Sequence, residues 1–275
     1  MKSRKGVLSG AIAVVISIFV FVVPFAFIAV TAMKNVTEAG TLEFSLPKRI
    51  VLWQNLKEVI RARDHMIVRA FLNSVIITAV SVAALVVFGS MLAYVLQRRK
   101  GPWNGFINFM LLLGLIATPA VVPTIFVLQR THVFKSLQGL MFIEIAFGLP
   151  FSVILFRAFI GAIPRDLDEA AMIDGAGPLR IFFGVIFPIL RPVIVTVIVL
   201  QSVFIYNDFE KPLYFLPGDA HPTVQLTLFN FQSQFRTSYN LLFTDILLVT
   251  IPPLIMFIFF SRKIVAGMTA GAVKG

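Results

Sequence analysis

The chain contains no cysteine, only three histidines (His65, His132 and His221) and only 13% charged residues in 275. Without cysteine there is no disulfide framework, no thiolate metal site and no cysteine nucleophile. Three histidines this far apart give little support to a His-based metal site, so no cofactor or metal is expected on the chain itself. No GxxxxGK[ST] phosphate loop, HExxH or GxSxG occurs, which leaves phosphoryl transfer by that loop and the commonest hydrolase chemistries without a carrier. Charge is scarce against the quarter or so usual for soluble domains. What fills its place is 58% hydrophobic residues, 29 of the side chains being Phe.

The apolar residues gather in long runs. About 20 suffice to cross a bilayer as a helix. Six runs qualify: Val7–Met33, Ala70–Gln97, Gly101–Gln129, Ser136–Phe156, Pro188–Tyr206 and Ser238–Ser261. The first lacks a convincing cleavage site and is too long for a signal-peptide core, so it reads as a retained helix. The fold class is therefore an all-α membrane protein of six transmembrane helices. Six spans put both termini on one side. Lys and Arg divide almost evenly between the two sides, with a slight excess where the termini lie; the short Arg98-Arg99-Lys100 connection favours the cytoplasm for that side. Proline recurs within the runs at Pro24, Pro119, Pro123, Pro150, Pro192 and Pro252-Pro253. Each removes a backbone donor and kinks a helix, which lipid tolerates where a neighbouring helix or a cavity meets the freed carbonyl.

The net charge of +11 suits basic loops against anionic lipid headgroups; no basic stripe with interleaved aromatics supports nucleic acid. Between the first two spans, Val51-Leu52-Trp53, Leu56 and Val59-Ile60 recur at helical spacing with Lys57, Arg61 and Arg63 among them. This predicts a short helix, either lying on the membrane surface or packed on the ends of the bundle.

The segment 164–187 joins two spans but is not an ordinary loop. Pro164 suits a first helical turn, and Asp166, Asp168 and Glu169 place negative charge where the helix dipole favours it. Ala170, Ala171, Met172 and Ile173 continue the helix, Gly175 after Asp174 suits a left-handed stop, Pro178 starts a second short helix and Pro188 ends it. The small Ala-Ala and Gly surface can enter a groove on another protein. By these properties alone, a linker resting on the membrane face is an equal reading.

The stretch Glu169-Ala170-Ala171, Gly175, Val185, Phe187-Pro188 resembles the Glu-Ala-Ala loop of membrane subunits of binding-protein-dependent ABC importers, with Val for Ile and Phe for Leu. Asn73-Ser74, Ala93-Tyr94 with Arg98 and Gly101, and Tyr206-Asn207-Asp208-Phe209 with Pro212 resemble further motifs of the carbohydrate-uptake branch. Residues 267–275 are similar to the tail of its maltose-type second membrane subunit. The resemblance implies a non-enzymatic permease in a prokaryotic cytoplasmic membrane, both termini cytoplasmic. It implies a span and extracytoplasmic loop over 1–69, an importer domain over 70–261 with spans two to six as the shared core, and a cytoplasmic tail over 262–275. Glu169, Ala170, Ala171, Asp174 and Gly175 would couple it to two ATP-binding subunits, which hold the ATP and Mg, and Thr269 and Lys274 would reach those subunits from the tail. The other implied partners are a second membrane subunit, an extracytoplasmic solute-binding protein, the lipid bilayer and a sugar or oligosaccharide. The segments on the outer side carry more Lys and Arg than acids, which suits an anionic saccharide and lipid headgroups alike.

Sugars need flat aromatic faces and hydrogen-bonding groups. Tyr206, Asn207, Asp208 and Phe209 supply both at the end of a span, although helix-end polar groups at the water interface would look the same. Glu144 and Asp245 stand inside apolar runs, where an isolated carboxylate costs about 2.5–3.5 kcal/mol, so each is expected to face a cavity or a partner. They complete the candidate substrate path, and no basic counterpart to either is evident. A secondary transporter or channel would need paired ionisable groups within the spans, and a membrane-embedded hydrolase would need a nucleophile and base at membrane depth.

Overall fold

The computed structural model describes residue 10 and residues 13–116, 118, 120–232 and 237–272, with the side chains of these other than 21 and 260–272. Among the described residues the regular elements are helices. They form two compact units, Met1–Ala70 with Pro222–Pro252, and Phe71–His221 with Pro253–Gly275.

In the first unit, α1 spans Ala13–Ala32 and widens into a π turn over Ile18–Val22. Pro24 follows that turn and cannot donate to the carbonyl one turn back, so the wider turn lets the helix continue past it. Asn35 caps the short α2 (Val36–Gly40), its Oδ1 accepting from the Glu38 N–H at 2.9 Å. α3 spans Leu52–Arg98 but is interrupted by non-helical backbone over Ala62–His65, three residues of which have positive φ. Of the two readings open for the segment before this break, packing prevails: Asn55 and Val59 are buried. Asn55 Nδ2 donates to the carbonyls of Ala32 and Lys34 at 2.8 and 3.0 Å, closing the carboxyl end of α1. Trp53 stays on the exposed side with the Lys57 ammonium over its ring. The unit also holds α11 (Val224–Thr227) and the start of α12 (Tyr239–Ala272).

In the second unit, α4 (Asn104–Ile116) and α5 (Val121–Arg130) are bent by 117° to each other. The single span expected over Gly101–Gln129 is therefore broken. Pro123 stands in the first turn of α5, where its missing N–H has no partner to lose; Pro119 lies outside the described residues. α6 (Leu137–Ile160) starts at Ser136, which accepts from the Gly139 N–H at 3.1 Å. α7 covers Asp166–Ile173. α8 covers Pro178–Ile189, with a π turn over Phe182–Ile186, and meets α9 (Arg191–Tyr206) at a 77° bend. The second short helix ends at Ile189, one residue past the expected Pro188, and the helix of the fifth span begins at Arg191 rather than at about Pro188. The π turn accommodates Pro188 in a last helical turn, and Pro192 sets the first turn of the new helix beyond the bend. α10 is Glu210–Phe215.

Among the described residues four helices are long and apolar enough to cross a membrane, or up to six if each bent pair is one span. The core of the second unit is made by Leu85, Val153, Phe156, Ile160, Ile186, Leu190 and Val197, all with no exposure. Large apolar side chains such as Phe19, Ile116 and Phe259 are more than 70% exposed, which bulk water penalises and a bilayer does not.

Candidate functional site

α7 begins at Asp166, two residues past Pro164, which stands outside it; the Arg165 carbonyl accepts the first amides, those of Asp168 and Glu169, at 2.9 and 3.1 Å. Asp166, Asp168 and Glu169 fill the first turn, where their charge opposes the helix dipole. The stop is built as the sequence suggests. The Ala176 N–H reaches the Ala171 carbonyl at 2.9 Å and the Gly175 N–H reaches that of Met172 at 3.0 Å, with Gly175 at φ +75°. A Cβ on Gly175 would meet nothing within 4 Å, so the backbone conformation alone demands glycine.

Three acids in one turn have different fates. Asp168 is buried, and its Oδ1 accepts from the Tyr94 hydroxyl at 2.5 Å while its Oδ2 pairs with the Arg98 guanidinium at 3.0 Å. Arg98 also donates to the Ile163 carbonyl at 3.1 Å. α7 is thereby fixed to the end of α3. Glu169, Ala170, Asp174 and Gly175 face outward, Ala171 is half-buried against the core, and Met172 and Ile173 are 59% and 86% exposed. The five residues singled out from the sequence thus lie together on one short, anchored element. The anchor itself, Asp168 with Tyr94 and Arg98, was not singled out as a site. The available signal was the shared run: Ala93-Tyr94 with Arg98 places a phenol and a guanidinium one turn apart at the end of a span.

The candidate path residues divide between the two units. Glu144 is almost fully buried in α6, and Lys211 Nζ stands 2.8 Å from its Oε2. The same ammonium pairs with Asp208 Oδ2, and the Lys211 N–H donates to Asp208 Oδ1 at 3.1 Å. The expectation that Glu144 has no basic counterpart is overturned. Lys211 lies past the end of the apolar run and reaches back because α10 folds against α6. Burial pulls the Lys211 ammonium down in pKa, but Glu144 and Asp208 more than offset it and the net displacement is upward. Tyr206 is buried at the end of α9, whereas Asn207 is exposed and Phe209 38% exposed. A further polar group, absent from the sequence-level candidates, sits on α9: Gln201 Nε2 donates to the Gly148 carbonyl and to Ser152 Oγ, both at 3.0 Å. A Cβ on Gly148 would crowd both neighbours, standing 3.2 Å from Gln201 Oε1 and 2.7 Å from Leu85 Cδ1.

Asp245 belongs to the first unit. It is fully buried in α12, and its Oδ1 accepts from Thr227 Oγ1 at 3.3 Å; no Lys or Arg pairs with it among the described residues. Among those residues no three His, Asp or Glu converge to hold a metal ion. Lys274 and the side chain of Thr269 lie outside the described residues.

Residues 86–269 match the family described as binding-protein-dependent transport system inner membrane component. The chain is 34% identical over 254 residues to the probable starch degradation products transport system permease protein AmyC of Thermoanaerobacterium thermosulfurigenes, covering 91% of both. It is 33% identical over 210 residues to the melibiose/raffinose/stachyose import permease protein MelC of Bacillus subtilis, covering 75% of this chain and 76% of that one. Its fold is similar, with a TM-score of 0.80, to the crystal structure of a bacterial ABC transporter involved in the import of the acidic polysaccharide alginate, over 95% of this chain and 98% of that chain at 19% identity. The match begins within α3, takes in the anchored α7 and ends in α12. On that extent, and on relatives aligned over most of its length, the chain belongs to the inner membrane components of binding-protein-dependent ABC transport systems, a family of transport permeases.

Proposed function

We propose that this chain is a saccharide-translocating subunit of an ATP-driven importer, with α7 as the element that receives force from a separate ATPase. The observation that carries this reading is the construction of α7. A two-turn helix has little stability alone, yet here it is held from one side by Asp168 and presents Glu169, Ala170, Met172 and Ile173 on the other. Small and apolar side chains on a rigid base suit insertion into a groove of another protein, as the Glu-Ala-Ala loops of this family do. The saccharide class rests on the relatives, whose names specify starch degradation products and melibiose, raffinose and stachyose.

In this reading the α7 side is cytoplasmic, as are both termini, in keeping with Arg98-Arg99-Lys100 beside it. Two ATP-binding subunits hold the ATP and Mg, a second membrane subunit completes the translocation path, and a solute-binding protein delivers the saccharide from outside. Nucleotide binding supplies the differential affinity that shifts the membrane subunits between inward-open and outward-open states. Tyr206, Asn207, Asp208, Phe209, Glu144 and Asp245 are the candidate path residues, and Thr269 and Lys274 the contacts of the tail with the ATPases.

Glu169→Lys tests the coupling role. The variant should accumulate in the membrane at the native level, because Glu169 is exposed and outside the Asp168 anchor. Uptake into liposomes by the assembled transporter, and ATPase stimulated by loaded binding protein, should both be abolished. Native transport by this variant would refute the role of α7, and transport without any ATPase subunit would refute the whole reading. Removal of residues 267–275 should impair assembly with the ATPases or regulation of their turnover, read by co-purification and by ATPase rate; no change in either would remove the tail from the contact.

A further inference from the structure

A cavity of about 340 Å³ opens between the end of α3 and α7–α8, within the range of roughly 300–1,000 Å³ typical of small-ligand sites. Its lining has two characters. Arg98, Arg99, Arg165, Asp168 and Glu169 supply charge, and Val95, Met172, Pro178 and Ile181 are among its apolar wall. Arg98 and Asp168 neutralise each other across 3.0 Å. That leaves the guanidiniums of Arg99 and Arg165 against the single carboxylate of Glu169, a surplus of one positive charge. The Arg165 guanidinium is turned toward α3, 3.4 Å from the Gln97 carbonyl.

The apolar wall continues out of the cavity. Phe88 and Val95, 61% and 45% exposed, share a face of α3, and exposed Arg99 follows Val95 by one turn on that face. An apolar track along a membrane-length helix that ends on an exposed guanidinium suits an acyl chain capped by a phosphodiester. We infer that this cavity binds the headgroup of an anionic phospholipid, its phosphodiester between Arg99 and Arg165 and one acyl chain along Val95 and Phe88. Guanidinium matches phosphate with paired donors. The surplus of one charge favours a headgroup of net charge −1 over a zwitterion. Glu169 accepts hydrogen bonds, so a hydroxylated headgroup such as that of phosphatidylglycerol fits the lining best. The inference does not rest on the proposed ATPase coupling, but Glu169 and Met172 belong both to this lining and to the face offered to the ATPase, so lipid and ATPase would compete for them.

The test is native mass spectrometry of the full chain, purified in detergent and exposed to an equimolar mixture of phosphatidylglycerol, phosphatidylethanolamine and phosphatidylcholine. The native chain should retain phosphatidylglycerol preferentially. Arg99→Gln with Arg165→Gln should cut that retention about 25-fold, each basic residue near an anionic surface contributing on the order of a fivefold preference. Arg180→Gln, which alters an exposed arginine outside the lining, should change nothing. Val95→Glu should lower retention by placing a like charge on the acyl track. Inorganic phosphate should leave the lipid bound. Equal retention of the three lipids by the native chain, equal phosphatidylglycerol on the double variant, an equal loss in Arg180→Gln, or displacement by inorganic phosphate would each overturn the assignment. If Glu169→Lys retained transport while the double variant lost the lipid, the coupling reading would fail and the lipid site would stand.

Discussion

Lys211→Met is expected to destabilise the chain by about 3–5 kcal/mol, the usual cost of removing one partner from a buried ion pair. Lys211 stands between two carboxylates, of which Glu144 has 3% and Asp208 12% side-chain exposure. Without the ammonium, Glu144 is left in an apolar interior with no cation. Removing both charges should reverse most of the damage. Lys211→Met with Glu144→Leu leaves only Asp208, which is the more exposed of the two acids and still accepts the backbone N–H of residue 211. Glu144→Leu alone should cost less than Lys211→Met, because Asp208 keeps the ammonium paired. Thermal unfolding midpoints in detergent across the four proteins measure the coupling directly. A Lys211→Met variant as stable as the native chain, or a double variant no better than that single one, would show that the three charges do not form a buried junction.

Asp168→Ala should be the most damaging single change near α7. It removes the acceptor of the Tyr94 hydroxyl and the counter-ion of Arg98, both at the base of the element. Hydrogen bonds to charged groups are worth about 1.5–3 kcal/mol each. Arg98 keeps the Ile163 carbonyl as a partner, so the loss in stability should fall near the lower end of the combined value, at about 3 kcal/mol. Asp168→Asn retains an acceptor for Tyr94 and should lose less. If α7 transmits force, both variants should also slacken the link between ATP turnover and transport: ATPase would persist in the assembled transporter while uptake falls, with Ala worse than Asn. Tight coupling in Asp168→Ala, measured as saccharide moved per ATP, would mean that the anchor has no mechanical role.

Much of the fold was legible because lipid imposes a simple rule. A chain that crosses a bilayer must satisfy its backbone internally, so apolar runs of sufficient length read as helices. α6 and the start of α12 follow their runs closely, and α12 continues past its run to Ala272. The runs around Pro119–Pro123 and Pro188–Pro192 were also apolar, but apolarity does not say where a helix bends. The 117° and 77° breaks depend on which carbonyls find partners once a proline removes a donor, and that is settled by packing.

The candidate sites divide along the same line. The stop of α7 was readable, since a glycine after a short helix reports a left-handed backbone, and Gly175 has it. The carboxylate that anchors α7 was not readable, because Asp166, Asp168 and Glu169 are chemically equivalent as sequence. Only the angular position around the helix turns Asp168 toward Tyr94 and Arg98 and leaves Glu169 in the open. Lys211 was invisible for a different reason: its partner Glu144 is 67 residues away, and no local periodicity encodes that pairing.

Composition by itself determined that this is a helical membrane protein, because hydrophobic length is a local property of a chain, and the ordered motifs added the resemblance to importer permeases. The tertiary structure alone decided which charges neutralise each other, where two spans break, and that a charged cavity opens beside α7. Those depend on distances between residues far apart in sequence, and in a low-dielectric interior a few ångströms separate a paired ion from an intolerable one.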